Sequence, residues 1–263
     1  MNIIDFHTHA FPDKIAGRAI SELQKEGTFT AVLDGTLAGL IESMDNAGIS
    51  ASVIAMIATK PDQFGSILKW SKEILSDRII PFPSIHPDDP QAVCHIRQIA
   101  EEGFKGVKLH PYYQDFIINE DKMLPIYDAI ANNNLILLAH TGFDCAFPRI
   151  RVCDPVKIID IVNKFPALKL VCSHLGAWED WNEVQKFMLG KPIYMEVSFA
   201  QGYLEPEIIK KYLLNHPKEY LLFGTDSPWA SQTEAVEFIR SLNLNSDFEE
   251  HIFYKNARDL LNI

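Results

Sequence analysis

The sequence predicts an α/β protein folded as a single-domain (β/α)8 TIM barrel. Three observations carry that expectation. Eight apolar, β-branched runs recur along 263 residues, and segments with helical periodicity separate them. The length suits eight strand–helix units, with no linker or low-complexity break, so residues 1–263 read as one unit. No GxGxxG loop follows any run, which weakens the case for an open doubly wound sheet.

The first run leads into Asp5-Phe6-His7-Thr8-His9, where strand alternation would place Asp5, His7 and His9 on one face. The second spans Ile49 to Ala58. The third, Arg78 to His86, is the weakest, because Pro81 and Pro83 cannot donate to a ladder. The others are Phe104 to His110, Leu135 to His140, Leu168 to His174, Pro192 to Phe199 and Tyr220 to Asp226.

Between them, Leu37, Leu40, Ile41 and Met44 make one helical stripe, with Asp34 or Thr36 to cap it and Gly48 to end it. Asp154-Pro155 opens another helix as a cap followed by proline. Trp178 to Leu189, Glu205 to Leu214, Glu234 to Leu242 and a short closing helix from Asn256 to Ile263 complete the pattern. The stretch from Ala10 to Gly35 exceeds a normal strand-to-helix connection, which predicts an extra helix or a lid.

Composition limits the partners. The balance of 47% hydrophobic and 22% charged residues is that of a globular chain. A net charge of -11 argues against nucleic acid or an anionic membrane as partner, since phosphate binding needs a basic surface. No run is long and apolar enough to span a bilayer. Cys94, Cys145, Cys153 and Cys172 form no CxxC pair, so reduced thiols are expected. With no secretory signal at the N-terminus, the expected location is cytoplasmic. The expected partner is a small-molecule substrate; homo-oligomerisation is left open.

Barrel active sites lie at the C-terminal ends of the strands. Six of the nine histidines fall there: His7, His9, His86, His110, His140 and His174. Asp226 ends the eighth strand, and closure of a barrel would bring it beside His7 and His9. Three imidazoles and a carboxylate suit zinc or a similar divalent ion. His86, before Pro87, reads as a loop residue. Lys108 and His110 share the inward face of strand four, where either could bind substrate, bind metal or hold the polar layer of the barrel, and Arg149 and Arg151 are candidates for holding a carboxylate. Asp5 is expected to orient a ligand histidine. Tyr112, Tyr113, Phe143, Phe147, Trp178 and Trp229 follow strand ends and are candidate walls of an apolar pocket.

With these motifs in place the chain resembles the amidohydrolase superfamily, in its amidohydrolase-related branch of metal-dependent TIM-barrel hydrolases. Asp5-x-His7-x-His9, Gly106-Val107-Lys108-Leu109-His110-Pro111, Ala139-His140-Thr141-Gly142, Ser173-His174-Leu175-Gly176 and Gly224-Thr225-Asp226-Ser227-Pro228 carry the resemblance. It implies a divalent metal at the barrel mouth, with His7, His9, His140 and Asp226 as ligands. His174 then looks like the catalytic histidine that is not a ligand, or a ligand to a second metal. Two-metal relatives bridge their ions through a strand-four carboxylated lysine or glutamate. Lys108 lies deeper than His110, so one ion is favoured over two, most simply zinc, with manganese as the other candidate.

The expected activity is metal-dependent hydrolysis of an amide, lactone or ester, with Asp226 moving the proton and His174 polarising the carbonyl. The alternative is metal-dependent, non-oxidative decarboxylation of a small unsaturated or aromatic acid.

Overall fold

The computed structural model describes residues 2–27 and 29–263. Eight short strands alternate with helices. They are β1 (Ile4–Thr8), β2 (Ala51–Ala55), β3 (Ile79–Phe82), β4 (Gly106–Leu109), β5 (Ile136–Ala139), β6 (Lys169–Cys172), β7 (Tyr194–Glu196) and β8 (Leu221–Leu222). Every strand pairing is parallel, as in the expected barrel.

The ladder divides into a three-stranded part, β1-β2-β3, and a five-stranded part, β4 through β8. Hydrogen bonds close both boundaries. Phe6 N donates to Phe223 O at 2.8 Å and Asp226 N to His7 O at 2.7 Å, joining the first and last strands. At the other boundary Lys108 N donates to Pro83 O at 3.0 Å. The prolines explain why that side is thin. A residue in a parallel strand sends its N–H and C=O toward the same neighbour. Pro83 meets β4 through its carbonyl, so the donor it lacks is missing on that side. Pro81, two residues earlier, leaves the same gap.

Two apolar layers follow from strand alternation. Ile4, Phe6, Val53, Phe82, Leu138 and Leu222 fill the barrel interior. Ile54, Val107, Leu137, Leu170 and Met195 face outward to the helices. The closing helix α11 (Asn256–Leu261) adds Ala257, Leu260 and Leu261 to the interior layer, stoppering the end away from the histidines.

The other helices are α1 (Asp13–Glu26), α2 (Leu37–Ala47), α3 (Phe64–Ile74), α4 (Ala92–Glu101), α5 (Leu124–Asn132), α6 (Pro155–Lys164), α7 (Trp181–Phe187), α8 (Pro206–Leu214), α9 (Gln232–Ser241) and α10 (Ser246–Glu250). α1 occupies the long connection after β1, as expected of an extra helix. Thr36 caps α2, its Oγ1 accepting from Gly39 N at 3.0 Å, and Gly48 ends it at φ 70°. Such a cap contributes about 1 kcal/mol. Asp154 caps α6 by accepting from Val156 N and Lys157 N.

The strands end earlier than their apolar runs suggest, for a reason that bears on function. Beyond the ladder the backbone turns left-handed at His174 (φ 57°), Phe199 (φ 56°) and Asp226 (φ 63°). α7 also starts three residues later than expected, because Trp178 bridges to Gly142 instead of joining the helix. Among the described residues no disulfide joins Cys94, Cys145, Cys153 or Cys172. Among the described residues no helix is long and apolar enough to cross a membrane.

Candidate metal centre

A bulge in β1 aims the first two histidines. Asp5 pairs with Ser52 and Thr8 with Ile54, so β1 advances three residues while β2 advances two. The extra residue reverses the alternation. Asp5 therefore does not share a face with His7, contrary to expectation. It lies buried on the outside, its Oδ2 accepting from Thr225 Oγ1 at 2.6 Å and from Gln232 Nε2 of α9 at 2.8 Å. Burial pushes the Asp5 carboxyl up to about 7, against hydrogen bonds that pull it down. Asp5 holds the β1–β8 junction and touches His7 only through the backbone N–H.

The carboxylate that orients His7 is Glu196, which the sequence reading missed. Its Oε1 lies 2.9 Å from His7 Nδ1. His9 Nδ1 lies 2.7 Å from the carbonyl of Ala55. Both partners only accept, so each Nδ1 carries the proton and each Nε2 presents a lone pair. Those Nε2 atoms converge on Asp226 Oδ1, at 3.4 Å from His7 and 3.1 Å from His9. Two lone pairs and a carboxylate meeting at one point fit a divalent cation, and the outer hydrogen bonds are those of metal-ligating histidines. The signal for Glu196 was present in Glu196-Val197-Ser198, whose alternate polar residues lie in an otherwise apolar seventh run.

His140 is not brought into this close group. Its Nδ1 lies 3.1 Å from His174 Nε2. Ser198 Oγ donates its one proton to Glu196 Oε1, so His174 Nδ1, 2.9 Å from Ser198 Oγ, must donate to it. His174 Nε2 is then a lone pair. His140 Nε2 lies 2.9 Å from the carbonyl of Phe143, so it carries the proton and Nδ1 is also a lone pair. Two lone pairs facing across 3.1 Å need a cation or an added proton between them. Burial pushes His7, His110, His140 and His174 all well below the ordinary histidine value, which favours neutral, ligand-ready rings.

Lys108 is fully buried, with Nζ 3.1 Å from His7 Nε2, and burial lowers its pKa to about 8. His110 stacks on His140 at 4.1 Å, and its Nε2 lies 3.4 Å from Asp144 Oδ2. Asp144 is a second residue the sequence reading missed. His86 is a loop residue, its Nδ1 accepting from Asp88 N. Arg149 does not line the cavity. It pairs with Glu179 and lies over the Phe143 ring at 4.1 Å, while Arg151 pairs with Asp180 at 2.8 Å. Each guanidinium satisfies itself on a nearby acidic side chain of the following loop, facing solvent.

All these histidines except His86 open on a cavity of about 670 Å³. α1 covers one side through Ile15 and Leu23. Of the expected aromatic walls, Tyr113, Trp178 and Trp229 line it. Tyr112, Phe143 and Phe147 do not; Phe147 packs behind Tyr112 and Tyr113.

Residues 4–263 match the amidohydrolase family. The chain belongs to that family. Its members include hydrolases and decarboxylases. No curated protein matches the sequence. Solved structures share the amidohydrolase barrel at low identity. An uncharacterized TIM-barrel protein of Bordetella bronchiseptica is 20% identical, with TM-score 0.79 over 100% of this chain and 99% of that one. A Pseudomonas putida protein provisionally described as 2-pyrone-4,6-dicarboxylic acid hydrolase is 18% identical, with TM-score 0.69 over 99% and 97%. A 5-carboxyvanillate decarboxylase of Novosphingobium aromaticivorans, complexed with manganese, is 15% identical, with TM-score 0.71 over 99% and 96%. At these identities the likeness establishes the fold.

Proposed function

We propose that this amidohydrolase is a metal-dependent hydrolase of an amide, lactone or ester bond in a small molecule. The observation that carries the reading is the convergence of His7 Nε2, His9 Nε2 and Asp226 Oδ1, backed by Glu196 and the Ala55 carbonyl. These three residues would hold one divalent ion. The facing nitrogens of His140 and His174 support a second holding place, where the sequence favoured a single ion. Zinc suits this imidazole–carboxylate set, and manganese is the ion bound by the Novosphingobium relative.

A divalent ion held there supplies Lewis acidity, polarising a carbonyl and making water nucleophilic near neutral pH. The chain's own groups do the rest. Asp226 accepts the proton of the attacking water at a carboxylate oxygen and returns it to the leaving group. Glu196 keeps His7 in the Nδ1–H tautomer. With Nε2 unprotonated, His174 cannot donate to a developing oxyanion. It is therefore assigned as a ligand in place of the electrophile expected from the sequence.

Decarboxylation is the second reading. Lys108, beside His7, is the observation that favours it, since its ammonium could hold a substrate carboxylate. The manganese-bound relative is a decarboxylase. Against it, the two arginines available for a carboxylate are paired outside the cavity. The test is to reload the protein with zinc or manganese and follow turnover in isotopically labelled water. Label in the product supports hydrolysis; carbon dioxide release without label replaces it with decarboxylation. Asp226→Asn should abolish turnover with the fold intact.

A further inference from the structure

We infer that the substrate is a small aromatic or similarly apolar compound with no carboxylate beyond one that lies at the floor beside Lys108 and the candidate ion site. The inference rests on the hydrolase reading only for the identity of the bond broken.

The wall is aromatic: Phe11, Phe29, Trp70, Trp178, Phe199 and Trp229 face the cavity. Part of it is rigidly set. Phe199 holds its backbone at φ 56°, a conformation a bulky side chain adopts only when its surroundings impose it. Its ring lies 6.2 Å from His174 and 5.9 Å from Phe29, and Phe29 meets Trp229 at 4.9 Å. These planes suit a flat apolar guest.

The charges point the same way. Among the described lining residues the one lysine or arginine is Lys108, at the floor against His7. Its charge already faces Asp226 and Glu196. The acidic side chains on the rest of the wall are Glu22 and Glu26 on α1 and Asp144 after β5, Glu22 being paired with Arg18 at 2.8 Å. Away from Lys108 a guest carboxylate would meet aromatic rings and these acidic groups, with no other lysine or arginine among the described lining residues to pair with. A carboxamide of the same size would escape that penalty.

The test compares isosteres and does not depend on turnover. Three of the chain's four tryptophans, Trp70, Trp178 and Trp229, line the cavity, so quenching of tryptophan emission reports occupancy. Zinc-reloaded protein is titrated with benzoate carrying a meta carboxamide and with benzoate carrying a meta carboxylate. The second carboxylate should weaken binding on the order of 100-fold. Equal or tighter binding of the dicarboxylate overturns the inference. In Ser66→Arg, which places a guanidinium on the wall, the dicarboxylate should recover at least about 10-fold while the carboxamide changes little. If the folded variant recovers nothing, shape and not charge sets the ranking, and the inference also falls. Should the charge ranking hold while labelled water never enters a product, the hydrolase reading fails and this inference stands.

Discussion

Glu196 Oε1 and His7 Nδ1 lie 2.9 Å apart across 189 positions of sequence. The same oxygen accepts from the backbone N–H of His174 at 2.9 Å and from Ser198 Oγ at 2.8 Å. One buried carboxylate thus orients a histidine of each nitrogen pair. Glu196→Gln should lower divalent-ion affinity about 10- to 100-fold with the circular dichroism spectrum unchanged. Equilibrium dialysis measures it, and unaltered affinity would remove Glu196 from the centre.

Gly224 leaves the room that Glu196 occupies. A Cβ there would overlap Glu196 Oε2 and come within 3.2 Å of His7 Cβ. Gly224→Ala should cost about 1–3 kcal/mol of stability and weaken ion binding with it. Gly65→Ala, on open helix surface in α3, is the control and should stabilise by about 0.5–1 kcal/mol. Thermal melts with and without ion separate the two effects.

Ion stoichiometry tests whether a cation lies between His140 Nδ1 and His174 Nε2. Protein reloaded with zinc should bind two equivalents, and His174→Ala should bind one. One equivalent in both would mean that an added proton, and not a cation, lies between His140 and His174.

Arg149→Ala and Arg151→Ala should each leave kcat/KM within about threefold, because both guanidinium groups are exposed and neither lines the cavity. A fall of 100-fold or more in steady-state assays would return a guanidinium to substrate binding.

His216 supplies a pH dependence remote from the metal centre. Burial lowers its pKa, its Nε2 donates to Ile193 O at 2.9 Å, and its Nδ1 is buried without a partner. The folded chain therefore binds fewer protons at this ring than the unfolded chain does. The stability it confers is present above about pH 6.5 and is lost as pH falls, at about 1.4 kcal/mol per unit of lowering. His216→Gln should lose less thermal stability than the native protein between pH 7 and pH 5.

Repetition made the barrel legible: eight apolar runs and their helices are local patterns, and caps such as Thr36 and Asp154 act within three residues. The aspartate beside two histidines was legible because closure fixes which strands are neighbours. Glu196 was not, since a carboxylate in a short strand shows no partner until the ring assembles. The bulge in β1 was hidden for a related reason: alternation is read on one strand, and its reversal is defined against β2. Arg149 misled because a loop cation shows its charge in sequence but not Glu179 beside it.

The donors absent from β3 have a mechanical consequence. The boundary between β3 and β4 carries fewer cross-strand bonds than its neighbours, so amide exchange should start there. Lys108 lies just across that boundary, its Nζ 3.1 Å from His7 Nε2. The junction between the first and last strands, where His7 and His9 meet Asp226, carries more such bonds and should exchange later. The softer seam of the barrel thus runs beside the cavity floor, and the firmer one beside the candidate ion site.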